Sequence, residues 1–245
     1  EISDLTLRGV IDTQNEKECV GGICGSNAGI IKNCTFEGSV SGKSKIGGIA
    51  GINEISGTIR DCKTKGQLSG SYYTGGIAGQ NFGSLEGCIN EANINADNAW
   101  VEEDDAYGME WLKEISGNEK KRLKSGVDTG GITGYSTGII INCQNSGTVG
   151  YEHTGYNIGG IAGRQSGMLS NCINKGIVYG RKDVGGIVGQ MEPFISLDNT
   201  DSLADAVQGL HDKIDTTLVD MDAASDALNA DCATLQGYAD SALTK

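Results

Sequence analysis

The side chains able to do chemistry in this chain are few, and they stand apart from one another. There are two histidines, His153 and His211. His153 lies in Tyr151-Glu152-His153-Thr154, with no serine, cysteine or carboxylate at the spacing of a nucleophile and its base, and reads as a corner-loop residue. His211, between Leu210 and Asp212, reads as a solvated residue on a segment of helical periodicity. The densest carboxylates are Glu102, Glu103, Asp104 and Asp105, with Arg122 as the basic residue a sugar-cleaving site would borrow. Consecutive carboxylates do not all point one way, and their spacing is not that of an EF-hand loop. The recurring glycine pairs are never followed by Gly-Lys-Ser or Gly-Lys-Thr, so they are not phosphate loops. The expectation is therefore no catalytic residue, no metal and no cofactor. What remains is aromatic: Trp100, Tyr107 and Trp111 stand close together and would stack on sugar rings or anchor a protein partner. Against that, large apolar side chains are usually buried, and these three would equally fold onto a supporting wall.

The eight cysteines narrow the chemistry further. Cys34, Cys62, Cys88, Cys143 and Cys172 fall at one point of successive repeats, with no Cys-x-x-Cys and no nearby histidine. Zinc wants ligands in local pairs, and in-register neighbours point their Cβ atoms in parallel, which disfavours disulfides down the column. These thiols read as small hydrophobes in a stacked core. Cys19 with Cys24 is the best remaining pair, and Cys232 lies far off in the tail.

The element that must position all of these is a repeat. Gly-Gly-Ile-Ala-Gly begins at Gly47, Gly75 and Gly159, and with one change at Gly21, Gly130 and Gly185. The copies are spaced by 26, 28, 55, 29 and 26 residues, the long interval being one unit plus an insertion. The fuller consensus adds a glycine, then apolar-x-Asn-Cys, then Gly-x-Val-x-Gly. No unit can bury its apolar face alone, whereas stacked units can. Aligned, they give one column of Ile23, Ile49, Ile77, Ile132, Ile161 and Ile187, and a second of Ile31, Ile59, Leu85, Ile140 and Leu169. The cysteines form a third, and Val40, Leu68, Ile94, Val149 and Val178 a fourth. Such columns predict a mainly β chain: a right-handed parallel β-helix of about six coils, with three short strands per coil. Glycines mark corners, where φ is positive or stacked backbones approach closely, and Asn33, Asp61, Asn142 and Asn171 suit a left-handed corner before each column cysteine. Ile2 to Leu5, Gly9 and Ile11 fit the same alignment, so the sequence enters inside a coil and an adjoining segment, partner or cap is expected over that end.

The solenoid is expected over residues 1–196, with residues 97–129 inserted between the third and fourth units. The stretch Ala106 to Ile115 has helical character, and insertions of this kind emerge at one corner of a solenoid. Residues 197–245 change composition. Val207, Ile214, Met221, Leu228, Leu235 and Ala242 hold a seven-residue period, predicting a long acidic amphipathic helix, a coiled coil or a linker to a following domain. If this helix drives self-association, truncation before Leu203 should drop the sedimentation mass to that of a monomer, and a monomeric full chain excludes it. With 39 glycines, one proline and a net charge of −13, collagen, nucleic-acid binding and attraction to anionic membranes are set aside. No apolar run is long enough to cross a membrane.

Taken together, the double glycine, Asn-Cys and Gly-x-Val-x-Gly elements resemble the GLUG motif of bacterial surface proteins. The resemblance implies an extracellular or cell-surface protein with a β-helical stalk. It does not bring the immunoglobulin A peptidase activity found beside such repeats, because the His-Glu-x-x-His zinc motif is missing. The expected role is a non-catalytic, adhesin-like or scaffold module whose insertion meets a glycan or a host or cell-surface protein. The rival is a polysaccharide-cleaving β-helix enzyme, lyase or hydrolase, with its site near the insertion.

Overall fold

The computed structural model describes residues 1–14, 16–97 and 126–193, together with the backbone of 100–102 and 121–123. The chain divides after Phe194 into two compact units. The described residues fall in the first unit, so the predicted helical tail lies outside them. So does the helical stretch from Ala106 to Ile115.

The first unit is a parallel β-solenoid of six coils. Four six-stranded sheets run along it, here called walls A to D in the order the chain visits them. One coil shows the pattern: Ser44–Gly47 on wall C, Ala50–Asn53 on wall D, Thr58–Arg60 on wall A and Lys63–Ser69 on wall B. Every pairing between coils is parallel and in register. The first residues join as aligned, with Ile2 opposite Ile31, Gly9 opposite Gly38 and Ile11 opposite Val40.

The coil therefore has four strands, where the sequence predicts three. Gly-Gly-Ile-Ala-Gly looks like one strand, but it is a bend between two. Gly47 ends wall C, Gly48 and Ile49 make the turn, and Ala50 opens wall D. The coil-to-coil ladder continues through this turn: Gly48 N donates to Gly76 O (3.1 Å), Ile49 N to Ile77 O (2.9 Å) and Ala50 N to Ile77 O (3.0 Å). The turning isoleucine stays inward, and Ile49, Ile77, Ile132 and Ile161 are fully buried.

The glycines of the phrase serve close approach. A Cβ on Gly48 would lie 2.2 Å from Thr64 Cγ2 and 2.3 Å from Gly76 O. Positive φ falls mainly to other residues. Asn33, Asp61, Asn142 and Asn171 adopt φ of 53°, 53°, 56° and 51°, as their short side chains suggest. Gly87 takes the same place in the third coil at φ 60°. A second left-handed ladder lies two residues before each phrase, at Cys19, Lys45, Tyr73, Asp128, Asn157 and Asp183, with φ between 51° and 58°. The register steps over these residues, pairing Tyr72 with Val127 and then Thr74 with Thr129, so each one bends its strand outward.

The interior is apolar, with two polar seams. In the first, Asn27 Nδ2 donates to Asn53 Oδ1 (2.8 Å), Asn53 Nδ2 to Asn81 Oδ1 (2.8 Å) and Asn81 Nδ2 to Ser136 Oγ (3.0 Å). In the second, Asn90 Nδ2 donates to Asn145 Oδ1 (2.7 Å) and Asn145 Nδ2 to Asn174 Oδ1 (2.9 Å). In the earlier coils the second seam's register positions hold Leu7, Phe36 and Thr64. A stacked amide gives each of these asparagine donors an acceptor one coil away, whereas Gln165, next in the first seam, and Thr64, next to the second, are buried without one.

Candidate functional site

The stacked thiols contribute structure. The seven described cysteines are free, so Cys19 and Cys24 are not bridged. Each column thiol donates to the carbonyl two residues back: Cys34 to Lys32 (3.2 Å), Cys62 to Arg60 (3.2 Å) and Cys143 to Ile141 (3.3 Å). The column residue is thus more than a small hydrophobe. It also closes the left-handed corner beside it with a weak hydrogen bond. Burial pushes the Cys88 thiol well above its ordinary range, which leaves no reactive thiolate there. His153 sits exposed in a left-handed turn at φ 60°. His211 lies outside the described residues.

The insertion is where the solenoid departs from its own rule. Wall B ends at Ile94, and Asn95 takes φ 50°. Wall C resumes at Val127. Between them, Trp100–Glu102 pairs antiparallel with Lys121–Leu123, while the four walls are wholly parallel. The register sets Trp100 opposite Leu123, Val101 opposite Arg122 and Glu102 opposite Lys121. In this ladder the residue opposite Glu102 is Lys121, and Arg122 is the next along. Of the three candidate aromatics, Trp100 is on this hairpin, and Tyr107 and Trp111 lie outside the described residues, as do Glu103 to Asp105. Asn95 pins the point of departure: its Oδ1 accepts from Gly70 N (2.9 Å) and its Nδ2 donates to Thr129 Oγ1 (3.1 Å).

Beside the point where the insertion returns, walls C and D carry an aromatic and charged cluster on their outer face. The Tyr135 ring lies 6.0 Å from Tyr73 and 6.3 Å, edge-on, from Phe82. The Arg164 guanidinium sits 4.7 Å from the Tyr135 centroid. The same guanidinium donates to Asp128 Oδ2 (2.8 Å) and Glu192 Oε1 (3.1 Å), while Asn157 Nδ2 donates to Asp128 Oδ1 (2.7 Å). Three of these residues, Tyr73, Asp128 and Asn157, belong to the second left-handed ladder.

Electrostatically this cluster is a clasp. Burial pushes the Asp128 carboxyl above its usual range, opposed by the Asn157 hydrogen bond and the Arg164 charge. Burial also works against the Arg164 cation, but Asp128 and Glu192 outweigh it and its pKa rises. The two shifts pull in opposite senses across one pair. The Asp128 side chain is 3% exposed and that of Arg164 26%, so the burial penalty falls chiefly on the carboxylate. Both Asp128 oxygens accept hydrogen bonds. The clasp ties together coils three to six beside the insertion. Among the described residues, no group of three or more histidine, cysteine or acidic side chains could hold a metal.

Sequence reasoning did not find this cluster. Its members come from four coils and meet only once the register is known. The recurrence of an outward residue two places before each phrase is the one signal that pointed to it.

One full turn of the solenoid runs from Glu18 to Ser41, through Cys24–Asn27 and Ile30–Lys32. Residues 18–41 match the GLUG motif. The GLUG segment is thus one complete coil, taken from the start of wall C to the end of wall B. The other coils stack on it with the same phrase in the same register. No curated protein and no solved structure gave a significant match to the chain.

Proposed function

We propose that the chain is a non-catalytic recognition module of a secreted or cell-surface protein. In this reading a right-handed β-helix is the rigid scaffold, and the insertion is the part that meets a glycan or a protein partner. One observation carries it: the coils flanking the insertion stack as closely as if it were missing. Tyr72 pairs with Val127, Leu85 with Ile140 and Ile94 with Val149, across an interval that elsewhere in the chain separates coils by half as many residues. The pairing of the walls is unbroken across this interval, which supports a role for the inserted segment beyond completing a coil. Right-handedness is supported by the strong preference of parallel crossover connections for that hand. The GLUG coil supports the surface setting, since that repeat is known from secreted and cell-wall proteins.

The test is a screen of the chain against glycans and surface-protein extracts, with product detection on the glycan arm. Binding without turnover is expected, weakened at least tenfold by Trp100→Ala, as for an aromatic anchor. Release of sugar products, abolished by neutralising Glu102 to Asp105, would replace this reading with the polysaccharide-cleaving one.

A further inference from the structure

A groove of about 180 Å³ lies on the outer side of wall B, where the insertion leaves it. Its rows come from three successive coils. Ser39, Gln67 and Asn93 are register partners in one row, and Ser41 and Ser69 in the next. Ala96 and Asp97, the first residues to leave the wall, close one end. Hydroxyl and amide side chains from three coils therefore line the groove together with Val40, Leu68 and Ala96.

Two features decide what such a groove would hold. The first is charge. The neighbouring residues on wall B are strongly charged, and each cation has a carboxylate partner: Arg8 and Lys65 share Glu37 (2.7 and 3.4 Å), and Lys63 pairs with Glu91 (2.5 Å). Asp12, at the groove's edge, accepts from Ser41 Oγ (2.6 Å), and that hydrogen bond holds its carboxyl below the usual range. With Asp97 in its lining, Asp12 beside it and no lysine or arginine among the lining residues, the groove disfavours anions. The second is hydrogen-bonding capacity. The side chains of Ser39 and Gln67 have no hydrogen-bond partner among the described residues, and Asn93 commits its Oδ1 to Thr148 N (3.1 Å). Along one row, the donors and acceptors recur at the coil spacing of about 4.8 Å. That spacing suits successive rings of an extended sugar chain, whose hydroxyls both donate and accept.

We propose that this groove binds a neutral oligosaccharide lying along the solenoid axis, with Gln67 and Asn93 as its principal contacts and Asp97 accepting a hydroxyl at the end. This rests on the recognition reading above and gives that reading a substrate class.

Isothermal titration of the full chain tests it, using linear neutral gluco-, manno- and galacto-tetraoses, with tetragalacturonate as the anionic comparison. At least one neutral tetraose should bind, and the double variant Gln67→Ala with Asn93→Ala should weaken it at least tenfold without lowering Tm. Lys175→Ala, on a distant coil of the same wall, should leave binding unchanged. Neutral binding that survives the double variant but falls with Trp100→Ala would overturn the groove and keep the recognition reading. Preference for tetragalacturonate would overturn the groove's charge argument and hence the proposal. No binding of any tetraose overturns the proposal too. In that case the recognition reading stands only if a surface-protein extract is retained by the chain and lost with Trp100→Ala.

Discussion

Gly76→Ala is expected to lower Tm by roughly 6–12 °C, the shift that corresponds to about 3 kcal/mol in a chain of this size. Gly76 is the second glycine of the phrase in the third coil. An added Cβ would lie 2.1 Å from Gly131 O and 2.4 Å from Asn90 Cγ. The first of these is backbone of the next coil, which cannot rotate away, and the second belongs to an interior amide seam. Relief requires the two coils to part, and parting breaks the Ile77 to Ile132 ladder bond of 2.8 Å. The matched control is Gly186→Ala, the same residue of the phrase in the last coil, where an added Cβ meets no described atom within 4 Å. Thermal melts of the two variants should differ widely. Equal losses would show that backbone approach is not what the glycine provides.

Asn53→Leu is the second large effect. Leucine has comparable bulk and would suit an apolar core, yet a loss of about 3 kcal/mol is expected, the cost of one or two buried polar groups left without partners. Asn53 is fully buried and accepts from Asn27 while donating to Asn81, Gly57 O (3.1 Å) and Ser84 O (3.2 Å). The substitution leaves Asn81 Oδ1 with no donor above it. Gln67→Leu, on the exposed side of wall B with no side-chain hydrogen bond to lose among the described residues, serves as comparison and should change stability by less than about 0.5 kcal/mol. Urea midpoints report both. A loss below about 1 kcal/mol for Asn53→Leu would mean that the seam is no stronger than an apolar column there.

Much of the scaffold was legible because a stacked column asks the same thing of each coil. Ile49, Ile77 and Ile132 repeat because each occupies one place in the core, and Asn33, Asp61 and Asn142 repeat because each turns one corner. The count of strands was less legible. The bend into wall D is made by glycines chosen for contact, and the bend before it by Cys19, Lys45 and Tyr73, whose types do not announce a left-handed backbone. The amide seams left a faint trace, an asparagine six residues into the phrase at Asn27, Asn53 and Asn81, which resembles an ordinary turn residue until its burial is known. The candidate surfaces were the least legible. Tyr73, Tyr135 and Arg164 are distant in sequence and meet only through register, and the groove's rows are ordinary serines and amides until three coils bring them side by side.

The second left-handed ladder has a further consequence. Cys19, Lys45, Tyr73, Asp128, Asn157 and Asp183 share one backbone conformation and almost nothing else. A thiol, an amine, a phenol, carboxylates and an amide are all mounted on the same bend, which non-glycine residues adopt at a cost of about 1–2 kcal/mol each. That cost is lower for the asparagine and the aspartates than for the other three, yet all six positions hold the bend. Such a position separates the inheritance of shape from the inheritance of surface chemistry. A lineage can rewrite what the wall shows, one coil at a time, while every coil continues to stack on the next.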